Sequence, residues 1–479
     1  MSFNSFEYLL FLPAVFLLYW FVFKRRDAQN VLIVVASYIF YGAWDWRCLL
    51  LIALTSLCSY ASGAWMQKFS QTDVRRKILS LSNIVLNLGI LCYFKYFNFF
   101  GEGFTALLNA LDIQADWVTL NIILPVGISF YTFQALSYTI DVYYGKIRPT
   151  NDVVAFLAYI SFFPQLVAGP IERATNLLPQ FLAERHFDYA SAVDGMRRIL
   201  WGLFKKMVVA DNCAMAVNAI FSDYAQCDSA TLLLGAVLFA FQIYGDFSGY
   251  SDIAIGSAKL LGIRLMQNFN TPYFSRDIAE FWRRWHISLT TWFRDYIYIP
   301  LGGSRCGQWK TLRNTFIIFL VSGLWHGANM TFVCWGLYNA LLFSVLMLLG
   351  VNRRNVNMVA QGRALPNVKE LLQMAGTFLL VVVGWVIFRA DNISIAFEYL
   401  HRMLSDFSFS MLIVGRKALL FVLLLVIVEW LQRGKEHGLQ FPDNAFFRCR
   451  GVRWAIYYLL FMMTLLMAGR ETDFIYFQF

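Results

Sequence analysis

The sequence predicts an all-α, polytopic membrane protein, and three observations carry that prediction. Hydrophobic residues make up 59% of the 479-residue chain and charged residues only 15%, at a mean hydropathy of +0.54, which leaves too little polar surface for a soluble globule. Apolar stretches recur from end to end, at 8–23, 78–100, 232–244, 316–350, 371–388, 418–431 and 455–467. The net charge of +10 is gathered in short basic clusters between them, at Lys24 to Arg26, Arg75 to Lys77, Lys205 and Lys206, Arg353 and Arg354, and Arg448 to Arg453. That pattern is positive-inside bias and not a nucleic-acid footprint.

Taken in order, the first stretch follows a single acidic residue, Glu7, and runs straight into three basic ones, so the N-terminus is expected outside and Lys24 to Arg26 in the cytoplasm. It has neither a basic leader nor a small-residue cleavage site, which reads as an anchor. At roughly 20 residues per span the whole chain predicts about 9 to 12 crossings, some of them short or broken. Loops are expected at 68–77, 101–118, 184–194, 222–230, 351–370 and 433–452. No Pro-, Gly- or Ser-rich linker and no fixed period of 20 to 50 residues interrupts the pattern, so one membrane domain is expected over residues 1–479.

Breakers inside apolar stretches mark where helices are re-entrant or broken. Pro125, Val126 and Gly127 form one such break; Phe163, Pro164 and Gln165 with Ala168, Gly169 and Pro170 form another. Backbone left without its helical partners at membrane depth must be buried in protein or face water. The segment 276–295 cannot be a plain span, because seven charges (Arg276, Asp277, Glu280, Arg283, Arg284, Arg294 and Asp295) at about 2.5–3.5 kcal/mol each would cost on the order of 20 kcal/mol. It is expected at an interface or lining a cavity; as one helix it would bring Trp282, Arg283, His286, Leu289 and Phe293 together. From Asn314 to Asn352, by contrast, there is no Asp, Glu, Lys or Arg. His326 lies thirteen residues past Arg313, roughly 20 Å along a helix, with Gly323 and Gly327 beside it to admit another backbone or a ligand, or to break the helix.

Those two histidines carry the candidate chemistry, because ionisable groups at membrane depth mark function by default. A low-dielectric site favours neutral imidazole, which can take a proton from a hydroxyl, so His326 reads as a general base. His286, in its arginine-rich segment, reads as a group that orients substrate, holds a carbonyl oxygen or bonds the base. Plainer readings stand beside these: a buried imidazole bonded to a helix carbonyl, at least one of Arg283 and Arg284 snorkelling to lipid phosphates, and Trp282, Trp285 and Trp292 as an interfacial belt. Asp246 and Asp252 fit ion coupling or a structural hydrogen bond equally. His186, His401 and His437 sit in charged, loop-like context and read as solvated.

Serine hydrolase, P-loop, zincin and Rossmann signatures are absent. The eight cysteines show no CxxC and no regular spacing, and two histidines without a third ligand give no metal set. What remains are long composite motifs: PVGISFYTFQALSYTIDVY (125–143), FFPQLVAGPIER (162–173), YGDFSGYSDIAIGSAKLLGI (244–263), NFNTPYFSRDIAEFWRRWHISLTTWFRDYIYIPLGGSR (268–305), GLWHGANMTFVCWGLYN (323–339) and GWVIFRADN (384–392). These resemble the membrane-bound O-acyltransferase superfamily, and within it the bacterial alginate O-acetyltransferase branch.

The resemblance implies a ring of transmembrane helices around a thinned centre where a funnel from each side meets at a catalytic histidine, here His326, with His286 as the second characteristic position. Trp325, Asn329, Trp282, Arg283, Trp285, Asp295 and Asp246 are the expected substrate- or tunnel-supporting residues, and no metal is expected. The implied activity is O-acetyl transfer from a cytoplasmic thioester, acetyl-CoA, toward a hydroxyl of an extracytoplasmic polysaccharide, with no bound cofactor, in the bacterial inner membrane and with a periplasmic partner acetyltransferase. Two alternatives remain: a teichoic acid D-alanyl transferase fed by a carrier-protein thioester, and a secondary transporter or flippase using Asp246 and Asp252.

Overall fold

A computed structural model describes residues 1–113, 120, 124–167, 169–405, 415–469, 472, 474 and 475; all regular structure among them is helical. Five helices of the described residues are long and apolar enough to cross a membrane: Cys48–Met66, Val74–Ala110, Ser229–Leu260, Met330–Leu348 and Val368–Arg389. The other apolar stretches fold as shorter helices, among them Phe6–Leu17 with its π-helical continuation Leu18–Val22, Arg416–Leu431 and Arg450–Leu466. The loop expected at 101–118 is helical through Ala110, because the apolar run simply continues the preceding helix; 114–118 lie outside the described residues, as does Ala168.

The chain divides into two compact units, Met1–Ala192 with Ser257–Leu265, and Val193–Gly256 with Met266–Phe479. In the first, polar side chains join apolar helices: Asn83 donates to Ser59 Oγ at 3.2 Å and to Thr139 Oγ1 at 2.6 Å. Arg76, expected in a cytoplasmic basic cluster, is instead buried and donates to the carbonyls of Met66, Phe69, Val142 and Tyr143. Met66, Val142 and Tyr143 end the helices Cys48–Met66 and Ile128–Tyr143, so their carbonyls have no partner within their own helices, and Phe69 lies in the turn after the first. The breaks at Pro125 and Pro164 take the protein-buried form. Gly127 caps the helix Ile128–Tyr143 in the left-handed region, where a Cβ would meet Leu166 O at 2.4 Å, and 162–166 are buried throughout.

The second unit is built on a glycine seam. Gly202 and Gly249 face each other so closely that a Cβ on either would meet the other's carbonyl oxygen at 2.6 and 2.8 Å, and Gly256 approaches Gly195 O in the same way. This approach, with the π-helical turn Phe204–Ala210, directs both lysines of the expected loop cluster inward. Lys205 pairs with Asp252 at 2.6 Å, which also takes Arg198 at 2.8 Å; Lys206 pairs with Asp246 and Asp211, each at 2.8 Å. Both intramembrane aspartates are therefore structural ion-pair partners of buried cations.

Candidate active site

The stretch 316–350 folds as an antiparallel helix pair, Gln308–His326 and Met330–Leu348, turning at Gly327. A Cβ on Gly323 would meet the backbone oxygen of Phe332, and one on Gly327 would meet the Phe332 ring; Gly336, on the facing helix, approaches Phe319 O in the same way as Gly323 does Phe332 O. One face of the first helix, from Gln308 through Thr311, Thr315, Ile318 and Ser322 to His326, lines a cavity of about 880 Å³. The spacing of three or four residues is that of a single helical stripe, and it carries the cavity about 27 Å along the axis.

The opposite wall comes from 276–298. It is not the single helix expected: Ile278–Arg284 and Ile287–Phe293 are separate, and His286 between them has φ 43°, ψ 53°. Two hydrogen bonds impose that backbone, Asn270 N–H to Arg284 O at 3.0 Å and Ile287 N–H to Asn268 O at 2.9 Å. A non-glycine residue held there costs on the order of 1–3 kcal/mol, and such strain collects at functional sites. The break still delivers Trp282, Arg283, His286, Leu289 and Phe293 to the cavity wall, together with Trp285.

Both imidazoles therefore line one cavity. His286 is 1% exposed; its ring lies edge-on to Phe247 with centroids 4.6 Å apart, and Nδ1 is 3.0 Å from Asn268 Oδ1. Its Nε2 is buried with no partner among the described residues, a state that costs about 1–3 kcal/mol and calls for an explanation. Burial pushes the imidazole down to about 3, so it is neutral at physiological pH. His326, 5% exposed, has ring centroids 5.0 Å from Trp325, 5.1 Å from Trp335 and 5.2 Å from Phe388. Trp325 also approaches His286, at 5.9 Å, and so packs against both histidines.

The seven charges of 276–295 are met by protein. Glu280 takes Arg276 and Arg284, at 3.0 and 2.9 Å; Asp277 accepts the Glu280 N–H and the Asn355 amide; Arg283 donates to the carbonyls of Asn352 and Asn355. Arg284 is therefore buried on Glu280 and not left to snorkel, whereas Arg283 stays exposed. Trp282, Trp285 and Trp292 are buried among aromatic rings and do not form an interfacial belt. His437 is buried beside Asp194 at 3.0 Å and not solvated, since the loop that carries it folds back on the helix Tyr189–Leu203.

Four expected site residues are not among those lining the cavity; Trp325 is one, its ring packing instead against both histidines. Asn329 caps Met330–Leu348, accepting from Thr331 N–H at 3.0 Å and donating to Asp391 O at 2.9 Å. Asp295 pairs with Arg294 at 2.7 Å, and Asp246 belongs to the Lys206 cluster. The sequence reading missed Asn268, eighteen residues from its histidine, for which no local signal exists. It also missed the hydroxyl stripe Thr311, Thr315 and Ser322, whose helical spacing was legible. Gln308, at the other end of the helix from His326, also lines the cavity, as do Arg294 and Arg353.

A family model described as MBOAT, membrane-bound O-acyltransferase family, matches residues 38–382. The chain is 40% identical over 409 residues to the probable alginate O-acetylase AlgI of Pseudomonas aeruginosa, covering 85% of this chain and 75% of that one. It is 33% identical over 424 residues to the peptidoglycan O-acetyltransferase of Helicobacter pylori, covering 82% and 77%. To the teichoic acid D-alanyltransferase of Bacillus subtilis it is 29% identical over 242 residues, covering 47% and 59%.

Proposed function

The chain belongs to the membrane-bound O-acyltransferase family and is an O-acyltransferase, and from that premise we propose that it is an O-acetyltransferase. It takes acetyl from a cytoplasmic thioester, acetyl-CoA, and delivers it toward hydroxyls of an extracytoplasmic polysaccharide such as alginate. It acts in the bacterial inner membrane, with its N-terminus outside and a periplasmic partner acetyltransferase completing the transfer.

The observation that carries this reading is the cavity that both histidines line, whose wall also carries Arg294 and Arg353. About 880 Å³ lies toward the upper end of volumes that enclose an organic ligand. The two arginines in the wall suit an anionic donor and, by the positive-inside rule, access from the cytoplasmic side. The uncharged stripe leading to His326 suits the apolar arm of a thioester.

In the reaction, an imidazole nitrogen of His326 takes the proton of the acceptor hydroxyl as its oxygen attacks the thioester carbonyl. The tetrahedral intermediate collapses with cleavage of the C–S bond, and the departing thiolate receives the proton from His326. His286 positions the reacting groups across the cavity, while Trp282, Trp285 and Trp325 exclude water. A positioned base of this kind is worth roughly 10²- to 10⁴-fold in rate.

The test is transfer of labelled acetyl in membranes that hold His326→Ala at the wild-type level. A loss of at least about 10²-fold is expected, and retained activity would refute the base assignment. The likeness to the Bacillus subtilis enzyme supports a second reading, D-alanyl transfer from a carrier-protein thioester. Binding of CoA or of a loaded carrier protein to the purified enzyme separates the two.

A further inference from the structure

We propose that Asn268 holds His286 in the Nδ1–H tautomer, so that Nε2 is presented at the cavity as a hydrogen-bond acceptor for an O–H or S–H group of the reactants. The argument begins with the one partner of Asn268 whose character is fixed. The backbone N–H of Ser288 can only donate, and it lies 3.3 Å from the side-chain atom of Asn268 that also meets His286 Nδ1 at 3.0 Å and Ser288 Oγ at 2.9 Å. That atom must therefore be the carbonyl oxygen Oδ1. The other end, the amide Nδ2, donates to Ser251 Oγ at 3.1 Å, which agrees with the same orientation.

An oxygen facing Nδ1 at 3.0 Å requires a proton between them, since two lone pairs would otherwise confront each other. With the proton on Nδ1, the neutral ring carries a bare lone pair on Nε2, the nitrogen that has no partner among the described residues. The imidazolium, which would donate from Nε2, is disfavoured by burial. The ring cannot flip to exchange its nitrogens without losing the Asn268 bond, and Phe247 and Trp325 pack edge-on against it.

The consequence revises the role read from the sequence. A neutral His286 with a bare Nε2 cannot donate to a developing oxyanion; it can only accept. It fits the acceptor hydroxyl or the thiol released on transfer, and Asn268 is the positioning residue that makes it so. The identity of the group gripped rests on the O-acetyltransferase reading; the tautomer does not.

The experiment is nitrogen-15 NMR of the full-length protein in nanodiscs with labelled histidine, the five resonance sets being assigned through single His→Gln variants. The expected wild-type spectrum has His286 protonated at Nδ1 and bare at Nε2. Asn268→Ala is expected to lose that preference and Asn268→Asp, whose carboxylate still accepts, to keep it. A wild-type proton on Nε2, or a tautomer unchanged in Asn268→Ala, would overturn the proposal. Should Asn268→Ala not fold, the wild-type spectrum decides by itself.

Kinetics supply the second arm. Asn268→Ala is expected to lower kcat about 10²-fold, near the lower bound for a positioned acid–base group, with KM moving less and Asn268→Asp recovering most of the loss. A tautomer that shifts while kcat holds would remove His286 from the reaction. A wild-type enzyme that transfers no acetyl at all would instead refute the activity, with the tautomer still readable.

Discussion

The segment 276–298 and the helix pair Gln308–His326 and Met330–Leu348 each bring one histidine to the same cavity, and they do it by opposite means. The first is dense in charge, broken in the middle and held by directed bonds: Asn268 on the ring, Glu280 between two arginines, and two backbone bonds that fix the strained φ of His286. The second has no acidic or basic residue after Arg313 and is held by close packing, glycine against backbone and imidazole against indole and phenyl rings. The difference teaches what each region tolerates. Hydrogen-bond geometry should govern the first, and volume the second.

Beside the loss expected for His326→Ala, the largest effect should come from removing the bonded histidine. His286→Ala is expected to lower kcat by roughly 10²-fold, with a smaller change in the apparent KM for the donor, because a group that acts on the reacting atoms contributes more in the transition state than in binding. Steady-state kinetics with varied acetyl donor checks this. A change confined to KM would return His286 to plain substrate binding and erase the contrast with His326.

A smaller effect is expected from a single methyl in the packed region. Gly323→Ala places a Cβ 2.2 Å from Phe332 O, an atom of the facing helix that cannot turn aside. The helices must separate, at a cost of roughly 1–3 kcal/mol for an overpacked contact. Thermal unfolding in detergent should show a lower Tm, with acetyl transfer falling because His326 sits three residues along the displaced helix. An unchanged Tm would mean that this region is looser than its glycines imply.

Much of this was legible in the sequence because composition and period act locally. The all-α membrane class followed from hydropathy, and the cost of seven charges in hydrocarbon left 276–295 either at an interface or lining a cavity, of which the structure shows residues of the segment lining one. Five cavity residues of that segment were grouped correctly although the helix expected to group them is broken at His286, since two short helices and one continuous one share the i, i+3, i+4 neighbours on either side of the break. The failures are tertiary. Arg76, Lys205 and Lys206 read as cytoplasmic charge because a buried cation is affordable only with partners brought from other helices, and nothing near them in sequence announces the Val142 carbonyl, Asp252 or Asp246. Asn268 was missed for the same reason, and Asn329 was placed in the site because proximity to His326 in sequence does not fix the direction in which a capping side chain turns.

That last residue offers the finest division between the two regions. Asn329 Oδ1 accepts the Thr331 N–H at the start of Met330–Leu348, and its amide reaches Asp391 O, so its bonds are to backbone and not to the cavity. Loss of such a cap costs about 1 kcal/mol. Asn329→Asp keeps the accepting oxygen and should therefore be milder than Asn329→Ala, which should lower Tm slightly while leaving kcat within about twofold once protein level is normalised, as expected for a change whose whole effect lies in helix stability. If Asn329→Ala instead lowers kcat as far as His286→Ala does, with Tm unmoved, then the packed region also works through a directed hydrogen bond, and the division between a bonded histidine and a packed one fails at its most exposed point.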